Sequence, residues 1–218
     1  YTGDTTDIED YEMKKGRSGN IVSLIRTGFL KRFESSVTSF ETSCDRILRK
    51  LLAFQKKHCE TPEEIKQLAN WIDKHDAVLG YSSAKQIELW GDENDDDEIE
   101  LFPSELLERW EYLERDQYKV DEIIYETFND LDELAVFLEE TKKFKPENDD
   151  KLNKLIRMLD SKKFAQKKVI VFTEFADTAR YVEKQLKKNN IEGVARIDGG
   201  SSGSRFDAVR EFSPYYNH

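Results

Sequence analysis

The chain has 218 residues, with 34 Lys and Arg against 45 Asp and Glu for a formal net charge of -11, and 38% of it is hydrophobic, including 13 Phe and 9 Tyr. That supply of large side chains is enough for a core and excludes global disorder. No apolar run approaches the roughly 18 residues of a membrane span, no basic-then-apolar leader is expected, and two cysteines, Cys44 and Cys59, are too few for a disulfide framework and fit a reducing cytoplasm.

The charge is unevenly divided. From Lys151 onward there are 14 basic and 8 acidic residues, a net of +6, which leaves 20 against 37, or -17, for residues 1–150. Only the second part has the sign of a phosphate-binding surface.

Residues 1–19 are polar and punctuated by Gly3, Gly16 and Gly19, as in a loop or an ordered arm. A helical pattern begins near Asn20. Phe33, Val37, Phe40, Cys44, Ile47, Leu48, Leu51 and Phe54 then follow at steps that put most of them on one face of a long helix. Thr61-Pro62-Glu63-Glu64 is a helix start, with Thr61 as N-cap, Pro62 at the first helical position and Glu64 closing a capping box. Leu68, Trp71, Ile72 and Leu79 form its apolar stripe.

Gly91 to Glu98 is a dense acidic run that repels itself and predicts a solvated loop. Its aspartates loosely resemble a calcium loop, but the midway glycine and the closing acid do not line up. Pro103-Ser104-Glu105 opens a further helix carrying Leu106, Leu107, Trp110 and Leu113. Another stripe follows at Ile124, Phe128, Leu131, Ala135 and Leu138. Pro146 interrupts, and a short helix with Leu152, Leu155, Ile156 and Leu159 comes next. Residues 1–148 therefore read as an acidic helical bundle or linker region.

After Lys167 the pattern changes. Val169-Ile170-Val171-Phe172 has the composition of a buried parallel strand. A helix is predicted from Asp177 to about Asn189, a second strand over Val194–Ile197, a flexible turn over Asp198–Gly203, and a helix from Ser204 to Phe212. Strand, helix, strand, loop and helix make one βαβ crossover and the next helix. The expected fold is thus α+β overall: a helical bundle followed, over residues 149–218, by a partial α/β parallel-sheet piece.

Lys168-Val169-Ile170-Val171-Phe172-Thr173-Glu174-Phe175, with Lys151, Leu152, Thr178 and Tyr181, resembles the opening of the second motor lobe of superfamily-two helicases. Arg196-Ile197-Asp198-Gly199-Gly200-Ser201-Ser202, with Arg205, Val209, Phe212 and Ser213-Pro214, is similar to the next segment of that lobe in Swi/Snf-like members. Leu30-Lys31-Arg32-Phe33-Glu34-Ser35-Ser36 resembles a stretch found ahead of the lobe in bacterial members. The resemblance implies a RecA-like lobe of the P-loop-NTPase type and an ATP-driven DNA or RNA helicase or translocase as the parent. It implies ATP and magnesium as that parent's cofactors, the remaining motor lobe as a partner in cis, and sequence-independent contact with nucleic-acid backbone.

No Gly-x-x-x-x-Gly-Lys-[Ser/Thr] is present, nor an acidic magnesium box at a strand end, and the family's later arginine motifs are not found before Asn217-His218. No catalytic residue and no ATP hydrolysis by this chain alone are therefore expected. By resemblance, Thr173, Glu174 and Phe175 at one strand end, and Gly199, Gly200, Ser201, Ser202 and Arg205 at the next, face the nucleic-acid backbone. Amides of a Gly-Gly-Ser turn before a helix N-terminus suit a phosphate. The same residues also suit a plain tight turn with Ser202 or Ser204 as helix cap, and Arg205 could instead pair with Asp198 or Asp207. His58, Cys59, Cys44 and His75 lack the paired short spacing of a zinc cluster, so no metal is expected.

A second function fits the helical part: a protein-interaction or regulatory module with the α/β piece as a structural remnant. Two strands alone are marginal in water and leave unpaired edges. The piece is therefore expected either to pack tightly on the helices or to self-associate.

Overall fold

A computed structural model of the chain describes residues 26–90, 111–164, 167–199 and 205–213, except the side chains of 82–90 and 205–207. In order, the helices are α1 over residues 26–35, α2 (Val37–His58), α3 (Pro62–Trp90), α4 (Val120–Lys142), α5 (Asp150–Leu159), α6 (Ala176–Lys188) and α7 (Arg205–Phe212), with a 3₁₀ turn at Pro146–Asn148 before α5.

Residues 33–54 are not one helix. The chain breaks at Ser36, which takes extended backbone and caps α2 by accepting the Ser39 N–H on Oγ at 3.0 Å. A serine hydroxyl competes for backbone donors, which favours a cap over a helix interior. The start of α3 forms as its residues dictate. Glu64 N–H donates to Thr61 Oγ1 at 3.2 Å, and Glu64 Oε2 accepts the N–H of Thr61 at 3.0 Å and of Glu60 at 2.9 Å.

Helix α2 is the centre of the bundle. Cys44, Leu48 and Leu52 on α2 join Leu68, Trp71, Val78 and Leu79 on α3 and Val120, Ile124, Phe128, Leu131, Ala135 and Leu138 on α4 in one core. The predicted stripes of α3 and α4 are thus the faces they bury. Full burial of a leucine such as Leu131 stabilises by about 1.5–3 kcal/mol. Among the polar groups taken inside, Gln55 donates from Nε2 to the Ile124 carbonyl at 2.8 Å and accepts the Cys59 thiol at 3.3 Å, and Asp45 bonds Arg49 one turn on at 2.8 Å. Where α3 meets α4, Trp71 donates its indole N–H to Asp132 at 2.9 Å.

The α/β expectation is not met. Among the described residues there is no strand and no sheet. Val169–Phe172 and Val194–Ile197 lie outside any helix and any ladder, and Phe172 is 89% exposed rather than buried. A strand exists only through a neighbour's hydrogen bonds. Helix α6, predicted to cross over the face of a sheet, instead packs on α2 and α5. Its buried residues are Asp177, Thr178, Tyr181, Gln185 and Leu186, a mostly polar set suited to the clasp described below. Tyr181 reaches the N-cap of α5, donating its hydroxyl to Asp149 at 3.0 Å. Burial, reinforced by the Asp149 carboxylate, pushes that phenol well above the usual tyrosine range. Helix α6 ends through Asn190 and Gly193, both left-handed at φ 60° and 67°. Asparagine tolerates that region and glycine has no Cβ to oppose it.

The predicted acidic loop and residues 103–110 of the helix opened by Pro103 lie outside the described residues, whereas Leu113, the last position predicted for that helix, is described and lies outside any helix. None of the described helices is long and apolar enough to cross a membrane.

Candidate functional site

The two segments that carry the resemblance at either end of the bundle, residues 30–36 and 173–178, meet. Helix α1 presents Lys31, Arg32 and Ser35, the α1–α2 break adds Ser36, and α2 adds Arg46 one face further on. Against them lie the loop Thr173–Phe175 and the first turn of α6 with Asp177 and Thr178.

Asp177 anchors this clasp. It is 7% exposed, sits in the first helical turn of α6, and is flanked by three guanidinium groups: Arg46 through two bonds of 3.3 Å, Arg32 at 3.3 Å and Arg180 at 3.8 Å. A carboxylate there also meets the positive end of the helix. Because the carboxylate is out of water, deleting it strands several cations, so the loss exceeds that of a surface pair. Beside it the hydroxyls of Ser35, Ser36 and Thr178 form a short chain. Thr178 Oγ1 is 2.8 Å from Ser35 Oγ and 3.0 Å from Ser36 Oγ. Ser36 therefore serves twice, capping α2 and binding α6.

Thr173, Glu174 and Phe175, placed at a strand end by sequence, are the loop that docks on α1. Thr173 Oγ1 is 3.4 Å from Ser35 Oγ and accepts the Phe175 N–H at 3.4 Å. Glu174 pairs with Lys31 at 3.3 Å on the surface. The Arg32 guanidinium stands 4.6 Å from the centre of the Phe175 ring, within cation–π range. Electrostatically this is an intramolecular joint in which acidic and hydroxyl groups of the tail meet basic groups of the bundle.

Gly199 follows a second ionic cluster. Arg196 bonds Glu183 of α6 at 2.9 Å and also pairs with Asp198. Asp198 thus has an arginine partner two residues before it. Among the described residues nothing lies within 4 Å of where a Cβ on Gly199 would stand, and its φ is not left-handed. Gly200, Ser201, Ser202 and the Arg205 side chain lie outside the described residues; Arg205 is the first residue of α7.

The sequence marks Thr173–Phe175 but neither their partners Lys31, Arg32 and Ser35 nor the adjoining bonds of Ser36 to Thr178 and of Arg46 to Asp177. A signal existed in the Ser-Ser pair beside Lys-Arg in a helical pattern. Its partner lay more than 130 residues away.

The other reactive side chains are held quiet. His58, buried between Phe54 and Tyr112, accepts the Leu113 N–H on Nε2 at 3.1 Å and bonds the Phe54 carbonyl through Nδ1 at 2.9 Å. That pair of bonds is met by the neutral tautomer protonated on Nδ1. Burial, helped by Glu41 and Asp45, pushes the Cys44 thiol up to about 12. Burial and Glu64 push Cys59 up to about 11 against the opposing pull of Arg115. Neither is a thiolate near neutral pH, so neither is a ready nucleophile. Among the described residues no three His, Cys, Asp or Glu side chains are placed to hold a metal ion.

Comparison of the chain with known protein families, with curated proteins and with solved structures finds no match.

Proposed function

We propose that this chain serves a cytoplasmic nucleic-acid motor of the superfamily-two, Swi/Snf-like type. In this role the helical bundle holds the Thr173–Phe175 loop, and the basic tail contributes sequence-independent contacts to nucleic-acid backbone. The observation that carries the proposal is the clasp. The segments 30–36 and 173–178 each resemble that family on their own, and they are bonded to each other through Arg32, Ser35, Ser36, Asp177 and Thr178. Support also comes from the net +6 of residues 151–218. ATP and magnesium would be handled by residues other than these, since no phosphate loop is present. Titrating the chain into labelled DNA and RNA at low and moderate salt tests the proposal. Weak binding that falls steeply with salt and ignores sequence supports it, and no binding at low salt refutes it.

A second reading, a protein-interaction module, is favoured by one observation: the apolar run Ile170–Phe172 stands exposed beside the bundle.

A further inference from the structure

The run from Lys168 to Glu174 is apolar at its centre and charged with opposite signs at its ends. Ile170, Val171 and Phe172 are 57%, 51% and 89% exposed. No backbone N–H or C=O of residues 169–172 bonds another described backbone group. Free backbone groups on a β-branched, aromatic run are a template for strand addition.

We propose that this run is where two copies of the chain pair, as antiparallel strands related by a two-fold axis through Val171. Even-numbered residues of a strand share one side. Lys168, Ile170, Phe172 and Glu174 therefore form one face, and Val169, Val171 and Thr173 the other. About an axis at Val171, Lys168 of each copy lies opposite Glu174 of the other, and Ile170 opposite Phe172. The interface holds two ion pairs and two aromatic–aliphatic pairs, the combinations that favour cross-strand neighbours.

The alternatives are worse on the same grounds. A parallel register sets Lys168 on Lys168 and Glu174 on Glu174. A one-residue slip of the antiparallel register puts Lys168 opposite Thr173 or Phe175 and loses both ion pairs. Charge complementarity thus selects a second copy of this run and its orientation. The present partners of the end charges are replaceable. Glu174 pairs with Lys31 at the surface, where more than half of each side chain is exposed, and exposed Lys168 donates to the Glu211 and Phe212 carbonyls at 2.6 and 3.0 Å. The inference does not depend on nucleic-acid binding.

Sedimentation of the full chain across a concentration series, with Lys168→Glu and Glu174→Lys variants, tests it. The unaltered chain is expected to pass from monomer to dimer with rising concentration. Each variant alone sets like charges opposite at both ends and is expected to dissociate about tenfold more readily or worse. An equimolar mixture of the two variants restores opposite charges and is expected to pair as well as the unaltered chain. The proposal is overturned by a strict monomer, by single variants that pair as tightly as the unaltered chain, or by a mixture no tighter than either variant alone. Amide exchange of the unaltered chain gives an independent readout: protection at residues 169–173 should rise with concentration, and protection that stays constant overturns the proposal.

Discussion

Arg46 and Asp177, 131 residues apart in sequence, meet through two bonds of 3.3 Å, one guanidinium nitrogen to each carboxylate oxygen. Asp177 is buried, whereas nearly half of the Arg46 side chain remains in water. The carboxylate therefore carries most of the dependence on its partners.

Replacing Asp177 with Asn keeps the shape and removes the charge facing Arg32, Arg46 and Arg180. The expected loss is about 2–3 kcal/mol, below the 3–5 of a fully buried pair because Arg46 is partly solvated. Arg46→Met should cost about 1 kcal/mol. The double variant should cost less than the two losses added, because both break one interaction. Urea unfolding of the four proteins checks this, and strict additivity would show that the pair is not coupled.

Phe172→Ser separates the helical architecture from the α/β one. An aromatic side chain in a buried strand costs about 3–5 kcal/mol to truncate, whereas one 89% exposed should cost less than about 0.5 kcal/mol. Leu131→Ala, at a fully buried position of α4, should cost about 2–5 kcal/mol. Both are to be measured at low protein concentration, where pairing between copies does not contribute. A large loss at Phe172 would return that residue to a core.

The difference between those two positions marks how far the sequence was legible. Helical periodicity is local: Leu131, Ala135 and Leu138 repeat on one face whatever else the chain does, so the bundle, the α3 capping box and the Pro146 break could all be read in advance. The run Val169–Phe172 carries a strand's composition, but a strand also needs a neighbour, and composition is silent about neighbours. The site was half legible for the same reason. Thr173, Glu174 and Phe175 stood out as a loop after an apolar run. That they dock on α1 through Lys31, Arg32 and Ser35 depends on contacts spanning most of the chain.

Acid should loosen the α2–α3 corner through Glu64. Burial raises its carboxyl, but the Thr61 and Glu60 amides and Arg115 outweigh that and hold it below the usual glutamate value of 4.5. A depressed carboxyl stabilises the fold in full above the unfolded value, and the contribution disappears as pH falls through the folded one. The stability difference between the unaltered chain and Glu64→Gln should therefore be constant from neutral pH down to about 5 and shrink below about 4.5. A difference independent of pH down to acid unfolding would contradict this role.

Thiol chemistry gives a direct readout of the closed core. With both thiols buried and pushed up, to about 12 for Cys44 and about 11 for Cys59, a thiol-specific chromogenic reagent should label neither in the folded chain at neutral pH and both in denaturant. Rapid labelling of Cys44 without denaturant would mean that α2 is not the centre of the bundle.

Charge reversal is the decisive test of whether the basic tail meets nucleic-acid backbone, as proposed above. Lys162→Glu, Lys163→Glu and Lys167→Glu together alter the tail, and Lys50→Glu, Lys56→Glu and Lys57→Glu make the same change of charge on α2. Anisotropy titrations of labelled DNA at two salt concentrations read both affinity and its salt slope. The tail variant is expected to bind at least about tenfold more weakly with a shallower slope, while the α2 variant stays within about threefold of the unaltered chain. Equal losses from the two sets, or a greater loss from α2, would contradict it.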